Sequence, residues 1–207
     1  MTELELATEN LVKLLADAGP QVVVAAAHAV DHRNPVAQGH SSRIAAIAEG
    51  IARRMNIPAG QVEDLRTAAF LHDVGHLTMP DGAALEAPGH AEAGEKTVRA
   101  ADFSDAVAAA VRNHHERWDG TGMPDGLAGD KIPLNSRILA LAETYEALTA
   151  GRGVERMASA DAIKLVTEKG GTEFDAALVE ALGRSIRDSS PEPTLPSVAL
   201  PAVATAS

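Results

Sequence analysis

Histidines that lie beside carboxylates or beside one another are the residues of this sequence with the clearest capacity for chemistry. All eight histidines fall between positions 28 and 115, and the chain contains the doublets His72-Asp73 and His114-His115. Adjacent residues on a helix point about 100° apart, so a doublet at a helix end can direct each side chain to a different metal ion. The pattern therefore favours a two-metal centre built from imidazole and carboxylate.

The available ligand types narrow the choice of metal. The chain has no cysteine, which excludes disulfides, iron–sulfur clusters and thiolate-ligated zinc. Imidazole and carboxylate together suit Fe, Mn, Zn or Ni. Asp73 follows the apolar run of residues 68–71, and burying its charge there costs several kcal/mol unless a cation compensates. A metal ion is the simplest compensating cation.

Two histidines are interpreted differently. His28 and His32 share one helix face, but no third ligand stands near them in the sequence, so we interpret them as structural or surface residues.

Charge and hydropathy exclude several classes of partner. The formal net charge of −11 argues against a duplex nucleic acid, whose binding depends on Lys and Arg neutralising phosphates, although a small anionic ligand stays compatible. The N-terminus lacks the basic and apolar segments of a signal peptide, and the longest apolar run, Val22 to Ala27, is too short to cross a bilayer. We therefore expect a cytoplasmic protein with no membrane partner.

Helices must position the histidines, because almost every segment has helical periodicity and the breaks carry Gly, Pro, Asn or Asp. The predicted helices cover Glu3 to Ala18, Gln21 to His32, Pro35 to Asn56, Gln61 to Val74, His90 to Ala101, Ser104 to Arg117, Ser136 to Ala150, Ala158 to Glu168 and Asp175 to Ile186. Two glycine- and proline-containing loops, 75–89 and 118–135, separate them. The sequence thus predicts an all-α bundle.

Three regions are predicted along the chain. Residues 1–33 form N-terminal helices that pack on the core, and residues 34–188 form the metal-dependent domain. Residues 189–207 contain four prolines and few charges, and we expect them to be a disordered tail.

An ordered series of motifs resembles a known family between about Asn34 and Leu182. The matching stretches are Gly39-His40-Ser41-Ser42-Arg43, Phe70-Leu71-His72-Asp73-Val74-Gly75, His90 with Gly94, His114-His115-Glu116-Arg117-Trp118-Asp119-Gly120-Thr121-Gly122-Met123-Pro124, Arg137-Ile138-Leu139-Ala140 and Thr172-Glu173-Phe174-Asp175. Together they resemble the HD-GYP phosphodiesterases, a branch of the HD-domain metal-dependent phosphohydrolases. The resemblance implies an HD-domain-like helical bundle that holds two divalent metal ions.

The resemblance also implies a ligand set and a substrate. One ion would bind His40, His72, Asp73 and Glu143, and the other would bind Asp73, His90, His114 and His115. Iron or manganese is the metal that the resemblance favours, with zinc, nickel or cobalt as alternatives. The implied reaction is hydrolysis of a cyclic dinucleotide, foremost cyclic di-GMP, to linear pGpG or GMP, with Asp73 and His76 as catalytic residues.

Other residues receive substrate and partner roles from the same resemblance. His76, Arg137 and Met123 would contact the substrate, although Arg137 at a helix N-terminus also fits a surface arginine. The loop of residues 119–129 would contact a GGDEF-type protein partner, and a homodimer is a further expected assembly.

Several positions depart from the family pattern. His76 replaces a lysine, Met123 replaces the tyrosine of Gly-Tyr-Pro, and Glu143 replaces an aspartate. The loop between His72 and His90 is short, and a basic stretch after the seventh predicted helix is reduced to residues 151–154. Val36 replaces the glutamate of members with a third metal, which predicts two ions. Two alternatives stay open: a non-catalytic signalling or binding module, and an HD enzyme for another nucleotide phosphoester.

Overall fold

The fold is built from helices alone in the part of the chain that the computed structural model describes, residues 2–17, 20–33, 38–79 and 89–189. The helices are α1 (Glu3–Ala16), α2 (Pro20–Arg33), α3 (His40–Arg54), α4 (Ala59–Leu71), α5 (His90–Ala100), α6 (Asp105–Asn113), α7 (Leu134–Ala150), α8 (Ser159–Glu168) and α9 (Ala176–Ser189), with short 3-10 turns at Val74–Thr78 and Gly129–Lys131. The predicted all-α class is confirmed.

Several helices end earlier than predicted, and the early ends of α4 and α6 matter for the site. Helix α4 ends at Leu71 rather than Val74, because the chain turns there to bring Gly75 against α5. A Cβ at Gly75 would lie only 2.0 Å from the carbonyl oxygen of His90, so the approach requires glycine.

Helix α6 ends at Asn113 rather than Arg117. Beyond it the chain folds back, with the backbone N–H of Met123 donating to the carbonyl of His115 at 3.2 Å. A Cβ at Gly122 would lie 2.3 Å from the amide nitrogen of Arg117, so this return also depends on glycine.

One apolar core holds the bundle together, and alanines fill many of its helix contacts. Ile44, Ala48 and Ile51 of α3 are fully buried at its centre. Each fully buried Leu or Ile contributes roughly 1.5–3 kcal/mol relative to an exposed one. The N-terminal helices share this core through Leu15 and Val23. Small side chains allow close helix packing, which brings the ends of α3, α4, α5 and α6 together.

Some predictions fall on residues outside the described ranges. They include the opening of the third helix at Pro35, the interpretation of Val36, most of the shortened loop before His90, and the tail after Ser189. The three-region division stays a prediction. No described helix combines the length and apolar character needed to span a membrane.

Candidate metal centre

Seven side chains from four helix ends meet in the interior of the bundle. His40 and His90 are the first residues of α3 and α5, while His72 and His114 each cap the C-terminus of a helix. The set, called the histidine cluster below, comprises His40, His72, Asp73, His76, His90, His114 and His115. Residues far apart in the chain thus share one site, as the doublets predicted.

Asp73 lies at the centre of the histidine cluster, and each of its carboxylate oxygens faces two imidazoles. Oδ2 lies 3.3 Å from His72 Nε2 and 4.0 Å from His40 Nε2. Oδ1 lies 3.5 Å from His90 Nε2 and 3.7 Å from His76 Nε2. This arrangement suits a carboxylate that bridges two cations.

A second group of donors surrounds the same Nε2 atom of His90 that faces Asp73. The Nε2 atom of His90 is 3.2 Å from His114 Nε2 and 3.1 Å from His115 Nε2. His90 and His114 are buried, while His115 is partly exposed. The three imidazoles could therefore hold one ion, and His40, His72 and Asp73 could hold another.

Hydrogen bonds from Nδ1 to backbone carbonyls fix the orientation of two imidazoles. His72 Nδ1 donates to the carbonyl of Ala69 at 2.9 Å, and His114 Nδ1 donates to the carbonyl of Val111 at 2.6 Å. Both acceptors are carbonyls near a helix C-terminus, three residues back. Because Nδ1 donates to a carbonyl, each Nε2 points toward the cluster, where its lone pair can coordinate a metal once any second proton has left.

Glu146 fixes the orientation of the His40 imidazole, and sequence analysis did not identify it. Its Oε2 accepts from His40 Nδ1 at 2.8 Å, and its Oε1 accepts from Arg43 Nε at 2.8 Å. The side chain is 1% exposed. A signal existed, because Glu146 lies four residues after Ala142 on the apolar packing face of α7, where a carboxylate needs a partner.

Electrostatics in the cluster separate charged from neutral groups. Burial lowers the pKa of His72, but the adjacent Asp73 carboxylate outweighs it and raises that pKa to about 9. Burial opposes ionisation of Asp73, yet the surrounding imidazoles hold its pKa well below the usual value. Burial, with His115 and His72 nearby, lowers the pKa of His114 well below its usual value, so it is a neutral donor.

The donors present fit a metal centre. The buried Nε2 atom of His40 has no hydrogen-bond partner, although such atoms ordinarily have one, and the buried Nε2 atom of His72 faces the Asp73 carboxylate at 3.3 Å. Imidazole nitrogens and a carboxylate are ligands that Fe, Mn, Zn and related cations accept. A cation among them would satisfy these nitrogens and compensate the buried Asp73.

Glu143, a predicted ligand, lies beside the cluster but is bound elsewhere. Its Oε1 accepts from Arg152 Nη2 at 3.0 Å, and its side chain is 18% exposed. Burial raises the pKa of Glu143, but nearby His72, His114 and His115 lower it to about 2. The carboxylate is therefore charged and within the field of the cluster, and its ligand role stays a prediction.

The two other predicted substrate residues lie on the neighbouring surface. Arg137 Nη1 binds Asp175 at 2.7 Å and Asp130 at 3.1 Å, and its guanidinium stacks over Trp118 at 5.5 Å. Met123 is 56% exposed at the tip of the loop. The contacts that the structure gives Arg137 are thus carboxylates and an aromatic ring, and both substrate roles stay predictions.

Internal hydrogen bonds hold the 119–129 loop in place. Glu116 is 3% exposed and accepts from the backbone N–H groups of Asp125 at 2.7 Å and Leu127 at 3.0 Å. Arg112 also donates hydrogen bonds from two nitrogens to the Asp125 carboxylate, at 2.8 and 2.7 Å. The loop therefore has its own anchors.

A cleft of about 410 Å³ opens between the histidine cluster and the end of α7. His114, His115 and Glu143 form its inner wall. Three basic side chains also line it, namely Arg117, Arg152 and Lys169. Cations beside a candidate metal centre suit an anionic ligand despite the net negative charge of the chain.

Comparisons with known proteins agree with this geometry. A family model described as "HD domain" matches residues 25–178. A 3'3'-cGAMP-specific phosphodiesterase 2 of Vibrio cholerae is 31% identical over 189 residues, covering 84% of this chain and 36% of that protein. The cyclic di-GMP phosphodiesterase response regulator RpfG of Xanthomonas campestris is 31% identical over 173 residues, covering 76% of this chain and 46% of that protein.

A solved structure shares the fold. The crystal structure of a cyclic GMP-AMP specific phosphodiesterase of V. cholerae superposes with a TM-score of 0.63 at 22% identity, covering 82% of this chain and 49% of that one. The chain thus spans less than half the length of each of these relatives.

Proposed function

Because this chain belongs to the HD-GYP family of HD-domain proteins, we propose that it is a phosphodiesterase that hydrolyses a cyclic dinucleotide at a centre of two divalent metal ions. The observation that carries the proposal is the position of Asp73, whose two oxygens each face two imidazole nitrogens within 4.0 Å. The proposed substrate is cyclic di-GMP, the molecule that RpfG is named for. The products are linear pGpG, GMP, or both.

The histidine cluster divides into two ligand groups around the shared aspartate. His40, His72 and one oxygen of Asp73, with Glu143 as a further ligand, would hold the first ion. His90, His114 and His115 with the other oxygen of Asp73 would hold the second. Iron and manganese are the proposed metals, with zinc, nickel or cobalt as alternatives. When bound, such ions lower the pKa of a water molecule and offset negative charge on phosphoryl oxygens.

The protein side chains then have three tasks. Asp73 fixes the spacing of the two ligand groups, because one rigid carboxylate serves both. Ala69 and Val111 carbonyls and the Glu146 carboxylate keep the Nε2 lone pairs aimed inward. The buried position of the cluster limits water around the reacting phosphate, which strengthens its interaction with nearby charges.

The cleft supplies the groups that would bind the rest of the substrate. Arg152 and Lys169 line it next to His115 and Glu143 and offer positive charge to a second phosphate. Arg152 reaches Glu143 at 3.0 Å, so it stands at the boundary between metal centre and cleft. Both guanidiniums pair with carboxylates, Arg152 with Glu143 and Glu146 and Arg137 with Asp175 and Asp130. We assign phosphate binding to Arg152 ahead of Arg137 because Arg152 lines the cleft.

Hydrolysis of defined substrates tests the proposal. Protein loaded with Mn²⁺ or Fe²⁺ without oxygen would be incubated with cyclic di-GMP, 3'3'-cGAMP and a simple phosphodiester, and products would be separated by chromatography. We expect cyclic di-GMP to be opened, and His114→Ala to abolish the reaction while the exposed-site control His32→Ala retains it. Metal-loaded protein that opens neither cyclic dinucleotide would refute the proposal and favour a binding module or another phosphoester.

A further inference from the structure

His76 occupies a position in the histidine cluster that neither ligand group above assigns. It lies on the 3-10 turn that follows Asp73 and is 4% exposed. Its ring stacks on His90, with centroids 4.4 Å apart and planes 14° apart. The family pattern that the sequence resembles has a lysine at this position. A charged lysine ammonium has no lone pair for a metal, whereas a neutral histidine ring has one, so the replacement adds a possible ligand.

The two oxygens of Asp73 have matching surroundings. Oδ2 faces the Nε2 atoms of His72 and His40, which are proposed ligands of the first ion. Oδ1 faces the Nε2 atoms of His90 and His76, at 3.5 and 3.7 Å. If His72, His40 and Oδ2 can hold one ion, then His90, His76 and Oδ1, which have similar separations, can hold another.

The separations are close to those around a single ion. Metal–nitrogen bonds of roughly 2.0–2.1 Å place neighbouring ligand atoms roughly 3.0–3.4 Å apart. Ligand atoms of Asp73, His76 and His90 all lie within 4.8 Å of one another. Movement of a few tenths of an ångström would bring both imidazoles to bonding distance. The near-parallel stack also directs both Nε2 edges to the same carboxylate oxygen.

We propose that His76 is a metal ligand, bound to the ion that Asp73 Oδ1 and His90 hold. It replaces the predicted role of a phosphate-binding group, and the centre then draws imidazoles from six histidines. The inference rests on the proposed function only in requiring that the cluster binds divalent ions.

Metal affinity measured without substrate tests this assignment. Wild type, His76→Ala, His76→Lys and the exposed-site control His32→Ala would be stripped of metal and titrated with Mn²⁺ and Zn²⁺, with bound metal counted by mass spectrometry. Both His76 variants should bind at least one ion about 10-fold more weakly, the lower end of what losing even a ligand's hydrogen-bond partner costs. X-ray absorption of the Zn²⁺ form should show fewer imidazoles per ion.

The lysine variant separates coordination from charge. His76→Lys restores the residue of the family pattern and keeps a cation for phosphate, but a charged ammonium cannot coordinate. Wild-type metal affinity and imidazole count in both variants would overturn the inference, and weaker binding of inorganic phosphate in His76→Ala would then assign the side chain to phosphate. Variants are compared only where the metal-free circular dichroism matches wild type, and His76→Gln replaces any variant that does not fold.

The outcome is independent of catalysis. A chain that binds metal through His76 but opens no cyclic dinucleotide would refute the proposed function and leave this assignment standing. A chain that hydrolyses the substrate with unchanged metal affinity in both variants would do the reverse.

Discussion

The histidine cluster and the 119–129 loop lie side by side, yet their polar groups are satisfied in different ways. In the cluster, the buried Nε2 atom of His40 has no hydrogen-bond partner. In the loop, Glu116 accepts two backbone N–H groups and Arg112 binds Asp125 through two nitrogens. A cation could satisfy this nitrogen of the cluster, whereas the loop makes these hydrogen bonds within the protein.

This difference suggests how the chain can depart from its family pattern. Replacing tyrosine by Met123 changes a side chain that is 56% exposed and leaves the loop anchors untouched. Replacing lysine by His76 changes a buried side chain within the cluster, so it acts on the metal centre itself. Substitutions in the two regions should accordingly change different measured quantities.

Removal of Asp73 should have the largest effect. Asp73→Ala takes away the carboxylate that both ligand groups share, so both ions should be lost and hydrolysis should fall below detection. Metal counting after dialysis checks this, with His32→Ala as the exposed control. A variant that retains the wild-type number of ions would show that the cluster does not bind metal through this residue.

Removal of Glu146 should have the second largest effect on metal affinity, because Glu146 orients the ligand His40. Glu146→Ala frees the imidazole to rotate, and metal affinity should fall about 10- to 100-fold. Glu146→Gln keeps an oxygen that can accept from His40 Nδ1 and should restore part of the loss. Titration with Mn²⁺ measures both. Equal affinity in the alanine variant and wild type would contradict the positioning role.

Lowering the pH should weaken metal binding by the histidine cluster and leave the 119–129 loop unchanged. Metal binding must displace the His72 proton, because Asp73 outweighs burial and raises the pKa of that imidazole to about 9. Affinity should therefore fall about tenfold per pH unit for each displaced proton as pH drops from 8 to 6. In metal-free protein, the same raised pKa means that the ion pair stabilises the fold below about 6.5 and loses this contribution as pH rises through about 9.

The loop should not respond over that range. Hydrogen bonds from Arg112 and Asn113 lower the pKa of Asp125 from 3.8 to about 2. A lowered folded-state pKa gives a contribution that is fully present above 3.8 and is lost as pH falls through about 2. Fluorescence of Trp118, the one tryptophan of the chain, should stay constant from pH 8 to 4. A fluorescence change that tracks metal release would show that the regions are coupled.

Glu116 should give the smallest effect and only on stability. Glu116→Gln can accept one of the two loop N–H groups at most, and the free energy of unfolding should fall by about 1–3 kcal/mol. The number of bound ions should be unchanged. Denaturant unfolding compares it with Glu180→Gln, an exposed control on α9. Loss of metal in the Glu116 variant would mean that the loop anchors also hold His115.

The sequence predicted the fold and the members of the cluster because both depend on strong local patterns. Helical periodicity is clear in each segment, and doublets such as His72-Asp73 indicate a metal site. Helix ends were less accurate, since α4 and α6 stop where distant contacts of Gly75 and Gly122 require it. Those contacts have no local signature.

Partners of buried charges were harder to predict. The pairing of Glu143 with Arg152 depends on how the chain turns after α7, which periodicity does not determine. Glu146 was visible as a carboxylate on an apolar face, but its partners His40 and Arg43 lie 106 and 103 residues away in the chain. Such pairings become evident only when the helices are packed.

The metal content of freshly purified, oxygen-protected protein decides whether the histidine cluster is a two-metal centre. The arrangement of four imidazole nitrogens around Asp73, with His114 and His115 in contact with one of them, predicts about two divalent ions per chain by elemental analysis, in line with two-metal sites that share a ligand. A chain that carries no ion, and takes up none when Mn²⁺, Fe²⁺ or Zn²⁺ is offered, would contradict the account.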